Sequence, residues 1–353
     1  MKSSFRSTTS DCLNPWLAVN YSLVFPGLGQ LYSAFWLKGI SLILLTAIML
    51  GYAIWSIFGA NGQTMWGFWT IGCVLVVYSF SILDAYRGTQ PGYATRISVP
   101  QGKSDPWYAV FLSQLLPGLG HLYLQQALAG GIFLLAGFLS AWLANTVPQW
   151  VPIPPLVWAM SCYHVYVSCP HRTSRKTDAI APLVLGLLIV RLSLGATPGW
   201  IDQTVEQCIV PSNSMAPTLQ VNDRLFVRHN QAYRPSLGNI VVFTPSDNAL
   251  QDLSQPAEDL LYVKRVIGLP GQQIAIKEGR VYIDERPLTE SYIQVASTDD
   301  WGPETVPANS YFVLGDNRQD SADSRDWGYV PKANILGAAY KIYWPPNRVQ
   351  PLG

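Results

Sequence analysis

The C-terminal half of the chain offers few groups for hydrolytic chemistry, and elimination narrows them further. Residues 200–353 contain one histidine, His229, so neither a metal cluster within this half nor an HExxH site can form there. There is no GxxxxGK[ST] phosphate loop. A Ser-His-Asp triad would have to use His229, which sits in a strand-like segment between Arg228 and Asn230, so a hydrolase here needs another base. Two segments could supply a nucleophile and that base. In Pro211-Ser212-Asn213-Ser214-Met215-Ala216-Pro217-Thr218-Leu219, two prolines restrict the backbone and small residues between them expose hydroxyls. Alone, it reads better as a polar linker leaving a membrane. The second is Leu261-Tyr262-Val263-Lys264-Arg265-Val266-Ile267-Gly268-Leu269-Pro270-Gly271. A third, Gly315 to Gly328, is dense in hydrogen-bonding groups and lacks EF-hand spacing.

Strands must position these groups. Ile240–Phe243, Leu260–Ile267, Gln273–Ile276, Arg280–Ile283, Tyr311–Leu314 and Ala338–Tyr343 are short, rich in β-branched and aromatic residues, and separated by Gly, Pro, Asn and Asp. Lys277-Glu278-Gly279 reads as a hairpin turn. Residues 200–353 are therefore expected to be an all-β domain. Alternation puts Tyr262, Lys264 and Val266 on one face and Val263, Arg265 and Ile267 on the other, so a cation must lie among apolar neighbours. If Lys264 is the buried one, desolvation lowers its pKa, as a lysine base requires. An edge strand with both cations solvated fits the same periodicity.

The N-terminal half has a different composition. Of all 353 residues, 13% are charged and 49% hydrophobic, and the charges are unevenly spread. Lys38 is the one charged side chain from Cys12 through Leu83, and Pro106 through Pro170 contains no Asp, Glu, Lys or Arg. Such stretches belong in lipid. Spans are expected at Gly39–Ile57, Met65–Leu83, Ala129–Leu143, Val151–Val167 and Ala179–Ala196, against the roughly 20 residues a crossing needs; the third is short and the fourth opens on Pro152, Pro154 and Pro155. Met1 to Asn14 is polar and the apolar region after it is far longer than a cleavable signal core, so no removed targeting peptide is expected. The five cysteines show no CxxC pair and read as small apolar filler. A net charge of +1 without a dense basic run gives no case for nucleic acid.

This half also repeats itself. Asn14-Pro15-Trp16 and Pro26-Gly27-Leu28-Gly29-Gln30-Leu31-Tyr32 recur at the same spacing as Asp105-Pro106-Trp107 and Pro117-Gly118-Leu119-Gly120-His121-Leu122-Tyr123. Each copy reads as an interfacial or re-entrant segment broken at Pro-Gly, then a helical hairpin. The domains expected are a first membrane repeat, 1–104, a second, 105–178, an anchor, 179–199, and the all-β domain, 200–353. Arg87, Arg96 and Lys103 after the first hairpin, and His171, Arg172, Arg175 and Lys176 after the second, place both linkers on the cytoplasmic side and the β domain on the outer face. Arg191 lies roughly 20 Å along the last span from Asp178, near enough to the outer boundary to snorkel.

Taken together, the three polar segments resemble the motifs of type I signal peptidases, in that family's order. Ser212 through Leu219 is similar to its serine motif and Tyr262 through Gly271 to its lysine motif. Gly315-Asp316-Asn317-Arg318 with Ser321-Ala322-Asp323-Ser324-Arg325 is similar to its last one. The resemblance runs from about Ala179 to the C terminus.

It implies a partly barrel-like β fold behind a membrane span and a serine protease acting without metal or cofactor. Ser214 would attack the scissile carbonyl and neutral Lys264 would take its proton. The Ser214 N–H and the Ser212 hydroxyl would stabilise the oxyanion, and Ser321 would orient Lys264. Arg265, Asp316, Asp323 and Arg325 would support the shape through ion pairs. The implied partners are membrane-inserted preproteins with small residues at −1 and −3, the lipid bilayer and, as a further candidate, the translocation machinery. The enzyme would be a multi-pass membrane protein with its catalytic domain on the periplasmic or lumenal face. Three positions depart from the family pattern, Asn222, Asn239 and Gln272, where members commonly carry Gly, Asp and an acid. A maturation peptidase with few partners and a catalytically silent anchor are the competing functions.

Overall fold

The computed structural model describes residues 13–94, 104–170, 178–229, 233–245, 261–293 and 297–352. It forms two compact units, Met1–Tyr52 with Trp69–Pro198, and Ala53–Phe68 with Gly199–Gly353. The helices are α1 (Pro15–Val24), α2 (Leu28–Tyr32), α3 (Trp36–Phe58), α4 (Thr64–Ala94), α5 (Pro106–Leu115), α6 (Leu119–Tyr123), α7 (Ala127–Thr146), α8 (Ile153–Val167) and α9 (Ile180–Thr204).

The repeated Asn/Asp-Pro-Trp is a helix start. The side-chain oxygen of Asn14 accepts from the N–H groups of Trp16 and Leu17, Asp105 does the same for Trp107 and Tyr108, and proline fills the first helical position of α1 and α5. Pro-Gly then breaks the helix. Gly27 and Gly118 sit at φ 99° and 93°, and a Cβ there would lie 2.4 Å from Gly39 O and 2.3 Å from Gly130 O, so nothing larger fits. The two copies pack on each other: Asn20 Nδ2 donates to Trp107 O at 2.9 Å and Asn14 Nδ2 to Asp105 Oδ2 at 3.1 Å. Where the first copy places Gln30 against Asp84, itself paired with Lys38, the second places His121 against His164 at 2.9 Å.

Among the described residues, four helical stretches are long and apolar enough to cross a membrane: Trp36–Phe58, Thr64–Thr89, Ala127–Thr146 and Ile180–Gly199. Five spans were expected. The difference is Val151–Val167, where α8 has only 15 residues, about 22 Å against a hydrocarbon core of roughly 30 Å. Pro152 caps it, Pro154 and Pro155 fill its first turn, and a short 3₁₀ turn at Pro148–Trp150 precedes it. Arg191, expected to snorkel, has partners within the helical unit. It donates to Gln114 O at 2.8 Å and lies 4.7 Å from the centre of the Trp158 ring, satisfied inside the helical unit. The basic residues Arg96, Lys103, His171, Arg172, Arg175 and Lys176 lie outside the described residues.

The second unit is built on antiparallel strands β1 (Val205–Ile209), β2 (Arg224–His229), β3 (Ile240–Phe243), β4 (Tyr262–Gly268), β5 (Gln273–Lys277), β6 (Arg280–Ile283), β7 (Arg286–Pro287), β8 (Trp301–Thr305), β9 (Ser310–Leu314), β10 (Val330–Pro331), β11 (Ile335–Trp344) and β12 (Gln350–Pro351). The larger sheet runs β1-β2-β11-β3-β4-β9-β10, with β12 beside β11, and the smaller runs β7-β6-β5-β8. The expected all-β, partly barrel-like domain is an open, curled sheet whose end strands do not meet. Leu219, Leu225, Val242 and Ile342 fill one core, and Ile267, Ile274, Val281 and Phe312 another. The hairpin expected at Lys277-Glu278-Gly279 joins β5 to β6, with Glu278 and Gly279 at φ 49° and 72°.

Ala53–Phe68, the end of the first helical hairpin, belongs to this unit. The fully buried Lys341 on β11 donates to three carbonyls there, Ser56 at 2.9 Å, Ile57 at 2.8 Å and Gly59 at 3.1 Å. Tyr340 donates to Phe58 O at 3.1 Å, and Phe58 stacks on Phe226. A lysine at a helix C-terminus satisfies the orphan carbonyls and the negative end of the dipole together.

Candidate active site

Ser214 lies in the turn between β1 and β2. Met215 and Leu219, 1% and 0% exposed, pin that turn into the core, and Leu219 N–H donates to Met215 O at 2.9 Å. Asn317 holds it from the other side: its backbone N–H donates to Ser214 O at 3.1 Å and its side chain to Asn213 O at 3.3 Å. The Ser212 hydroxyl donates to Ser214 Oγ at 3.2 Å.

Strand β4 pairs with β3 on one side and β9 on the other, so the solvated edge-strand alternative is excluded. Both cations are buried, Lys264 at 3% and Arg265 at 8% exposure. On its face, Arg265 donates from Nε to Asp316 Oδ1 at 2.8 Å, from Nη2 to Asp316 Oδ2 at 2.6 Å and from Nη1 to Gly238 O at 2.8 Å. Its guanidinium also stacks 3.9 Å from the centre of the Tyr292 ring. Thr218 completes the shell of Asp316 with a hydrogen bond of 2.6 Å. Lys264 makes no ion pair among the described residues. Burial lowers its pKa to about 8 against the opposing pull of Asp323, with Arg325 lowering it further and Asp316 and Asp320 raising it.

Lys264 and Ser214 line one open cleft of about 330 Å³, together with Ser212, Met215, Tyr262 and Asp320. Ser321 stands beside it. A Cβ on Gly315 would fall 2.2 Å from Ser321 Oγ and 2.4 Å from Ser214 O, so glycine is what lets the end of β9, the serine turn and Ser321 converge. The Ser321 hydroxyl is buried and forms no hydrogen bond among the described residues, to Lys264 or to another group.

The loop after β9 is held by charge. Asp323, fully buried, accepts from Gly315 N–H at 3.0 Å and from Arg325 Nε at 2.9 Å, and exchanges capping bonds with Asp326 around the one-turn helix Ser324–Trp327. Arg325 also donates to Asp299 and to the carbonyls of Arg318 and Ser321. Arg318 pairs with Glu290, which accepts from Tyr292 at 2.7 Å. Sequence reasoning gave no role to Thr218, Glu290, Tyr292, Asn317, Arg318 or Asp320; Asn317 and Arg318 stood inside a motif, whereas Glu290 and Tyr292 carried no local signal.

Asn222 adopts φ 71°, Asn239 Oδ1 accepts from Ser236 N–H at 3.0 Å and Tyr233 at 2.5 Å, and Gln272 Oε1 accepts from Leu269 N–H at 2.8 Å. The amide oxygens of Asn239 and Gln272 thus accept from neutral donors.

Residues 187–344 match the family described as signal peptidase, peptidase S26. A signal peptidase I of Leptolyngbya laminosa is 44% identical over 186 residues, which cover 52% of this chain and 90% of that protein. The chain belongs to the signal peptidase I family. A probable signal peptidase I-2 of Synechocystis is 43% identical over 40% of this chain and 63% of its own length. Thylakoidal processing peptidase 1, a chloroplast protein of Arabidopsis thaliana, is 31% identical over 40% of this chain and 42% of its own. A signal peptidase I domain of serine endopeptidase type therefore occupies the β strands, and the repeated helical segments before residue 187 lie outside the family match.

Proposed function

We propose that Ser214 and Lys264 form a nucleophile–base pair that removes signal peptides from exported preproteins at the outer membrane surface. The observation that carries this is Lys264, 3% exposed, unpaired, and sharing a cleft with Ser214. Burial brings the pKa of this lysine down to about 8, so a useful fraction is neutral near physiological pH, and only that form accepts a proton. Ser214 Oγ attacks the scissile carbonyl carbon while its proton passes to Lys264 Nζ. The Ser214 N–H and the Ser212 hydroxyl stabilise the oxyanion. The new amine leaves with the proton from Lys264, and water, activated by the same amine, releases the acyl-enzyme.

The cleavage segment binds extended beside a strand, so alternate side chains at −1 and −3 enter the cleft, which favours small ones. The apolar helices anchor the enzyme in a bilayer, and the basic run His171, Arg172, Arg175 and Lys176 just before α9 favours a single crossing by α9 that puts the β domain on the outer face. The test is cleavage of a preprotein by the purified full chain, wild type against Ser214→Ala and Lys264→Ala. Loss in both variants, with the wild-type product starting at the residue that directly follows position −1, is the predicted result. Equal cleavage by all three discards the pair.

A further inference from the structure

Within the cleft that holds Ser214 and Lys264, one lining residue carries a negative charge. Asp320 is exposed, its backbone N–H is tied to Asn317 O, and its carboxylate pairs with no cation among the described residues. The other acids close to the site are engaged: Asp316 by Arg265 and Asp323 by Arg325. The arginines of the same loop are used elsewhere, Arg325 by Asp323, Asp299 and two carbonyls and Arg318 by Glu290. The remaining walls, Met215, Leu261, Tyr262 and Val263 among them, are neutral. An exposed, unpaired carboxylate lining the cleft, with the Lys264 amine as its one other ionisable group, is placed to meet a side chain that flanks the scissile bond.

We infer that Asp320 is a specificity-determining residue which favours preproteins with Lys or Arg, and disfavours those with Asp or Glu, at a position flanking the cleavage site. The inference rests on the peptidase function proposed above. A solvated carboxylate acts modestly, so the Lys-over-Glu preference in kcat/KM is about two- to five-fold, and larger at low salt. A second effect is independent of substrate charge. Asp320 is one of the acids that favour the protonated form of Lys264; Asp323 and Asp316 act the same way and Arg325 the opposite. Removing it moves the Lys264 limb of the pH profile to lower pH.

The experiment places single Lys or Glu residues along the positions flanking the scissile bond of one preprotein and compares each with the neutral parent. The wild-type full chain, Asp320→Asn and Asp320→Lys are assayed at low and at moderate salt. The expected result is a wild-type Lys/Glu ratio above one that shrinks with salt, collapses in Asp320→Asn and inverts in Asp320→Lys. Should either variant fail to fold, the salt dependence of the wild-type ratio decides alone. A ratio of one at every position and salt, with the neutral parent cleaved, overturns the inference. Cleavage of no preprotein by wild type overturns the peptidase function beneath it as well.

Discussion

Arg265 closes on Asp316 with hydrogen bonds of 2.8 and 2.6 Å, while Lys264, its neighbour on the same strand, is left without a carboxylate partner. Alternation along β4 sends the two cations to opposite faces, and both faces are buried. One face neutralises its cation with a fixed acid. The other keeps its amine dry, which is the condition for a base. The two residues thus divide structural and chemical work along a single strand.

Asp316→Asn leaves the Arg265 guanidinium buried without its counter-charge. An unpaired buried ion costs about 3–5 kcal/mol, so the variant's melting temperature falls sharply, as read by differential scanning fluorimetry on the detergent-solubilised chain. Ser214→Ala, in contrast, leaves it essentially unchanged. A melting temperature of Asp316→Asn equal to wild type would show that the pair carries no structural load.

Ser321→Ala separates function from stability. The hydroxyl is buried without a partner, so removing it leaves stability unchanged or slightly raised, since an unsatisfied buried polar group is a cost. The orienting role proposed for it predicts a fall in kcat/KM of about ten- to a hundred-fold. A destabilised variant that cleaves normally would assign Ser321 to packing instead.

Lys341→Met removes the donor to the carbonyls of Ser56, Ile57 and Gly59. Leaving buried carbonyls unpaired costs about 1–3 kcal/mol. Amide hydrogen exchange in Ala53–Phe68 therefore speeds up, while protection in β4 and β9 persists. Unchanged exchange in that segment would mean the lysine is not what holds it.

Much of the β unit is readable in the sequence because its central strands are dense in β-branched and aromatic residues: β3 and β6 lie where the alternation puts them, and β4 and β9 within a residue or two. The strands that escape are those whose composition speaks against them. Gly302 and Pro303 make β8 look like a turn, and β1, half exposed at the sheet edge, mixes Glu206 and Gln207 with its apolar residues. The site is legible as motifs, but its pairings are not, because Arg265 and Asp316, 51 positions apart, meet only through the register of β4 and β9. Lys341 marks a further limit. Burial lowers its pKa to about 8 as well, yet its amine is committed to three carbonyls, so a depressed lysine alone does not name the base.

The folded state holds Lys264 near pKa 8 against 10.5 for an ordinary lysine. Below about pH 8 the burial of its charge opposes folding in full, and as pH rises from 8 towards 10.5 that opposition fades, so this group makes the protein more stable with increasing pH across that window. The same titration governs catalysis and supplies the most direct test. In the full chain, kcat/KM for a preprotein should climb about tenfold per pH unit and level off near pH 8, as the neutral amine of Lys264 fills. A rise that continues towards pH 10.5, or a rate indifferent to pH between about 6 and 9, would contradict a buried lysine as the base that activates Ser214.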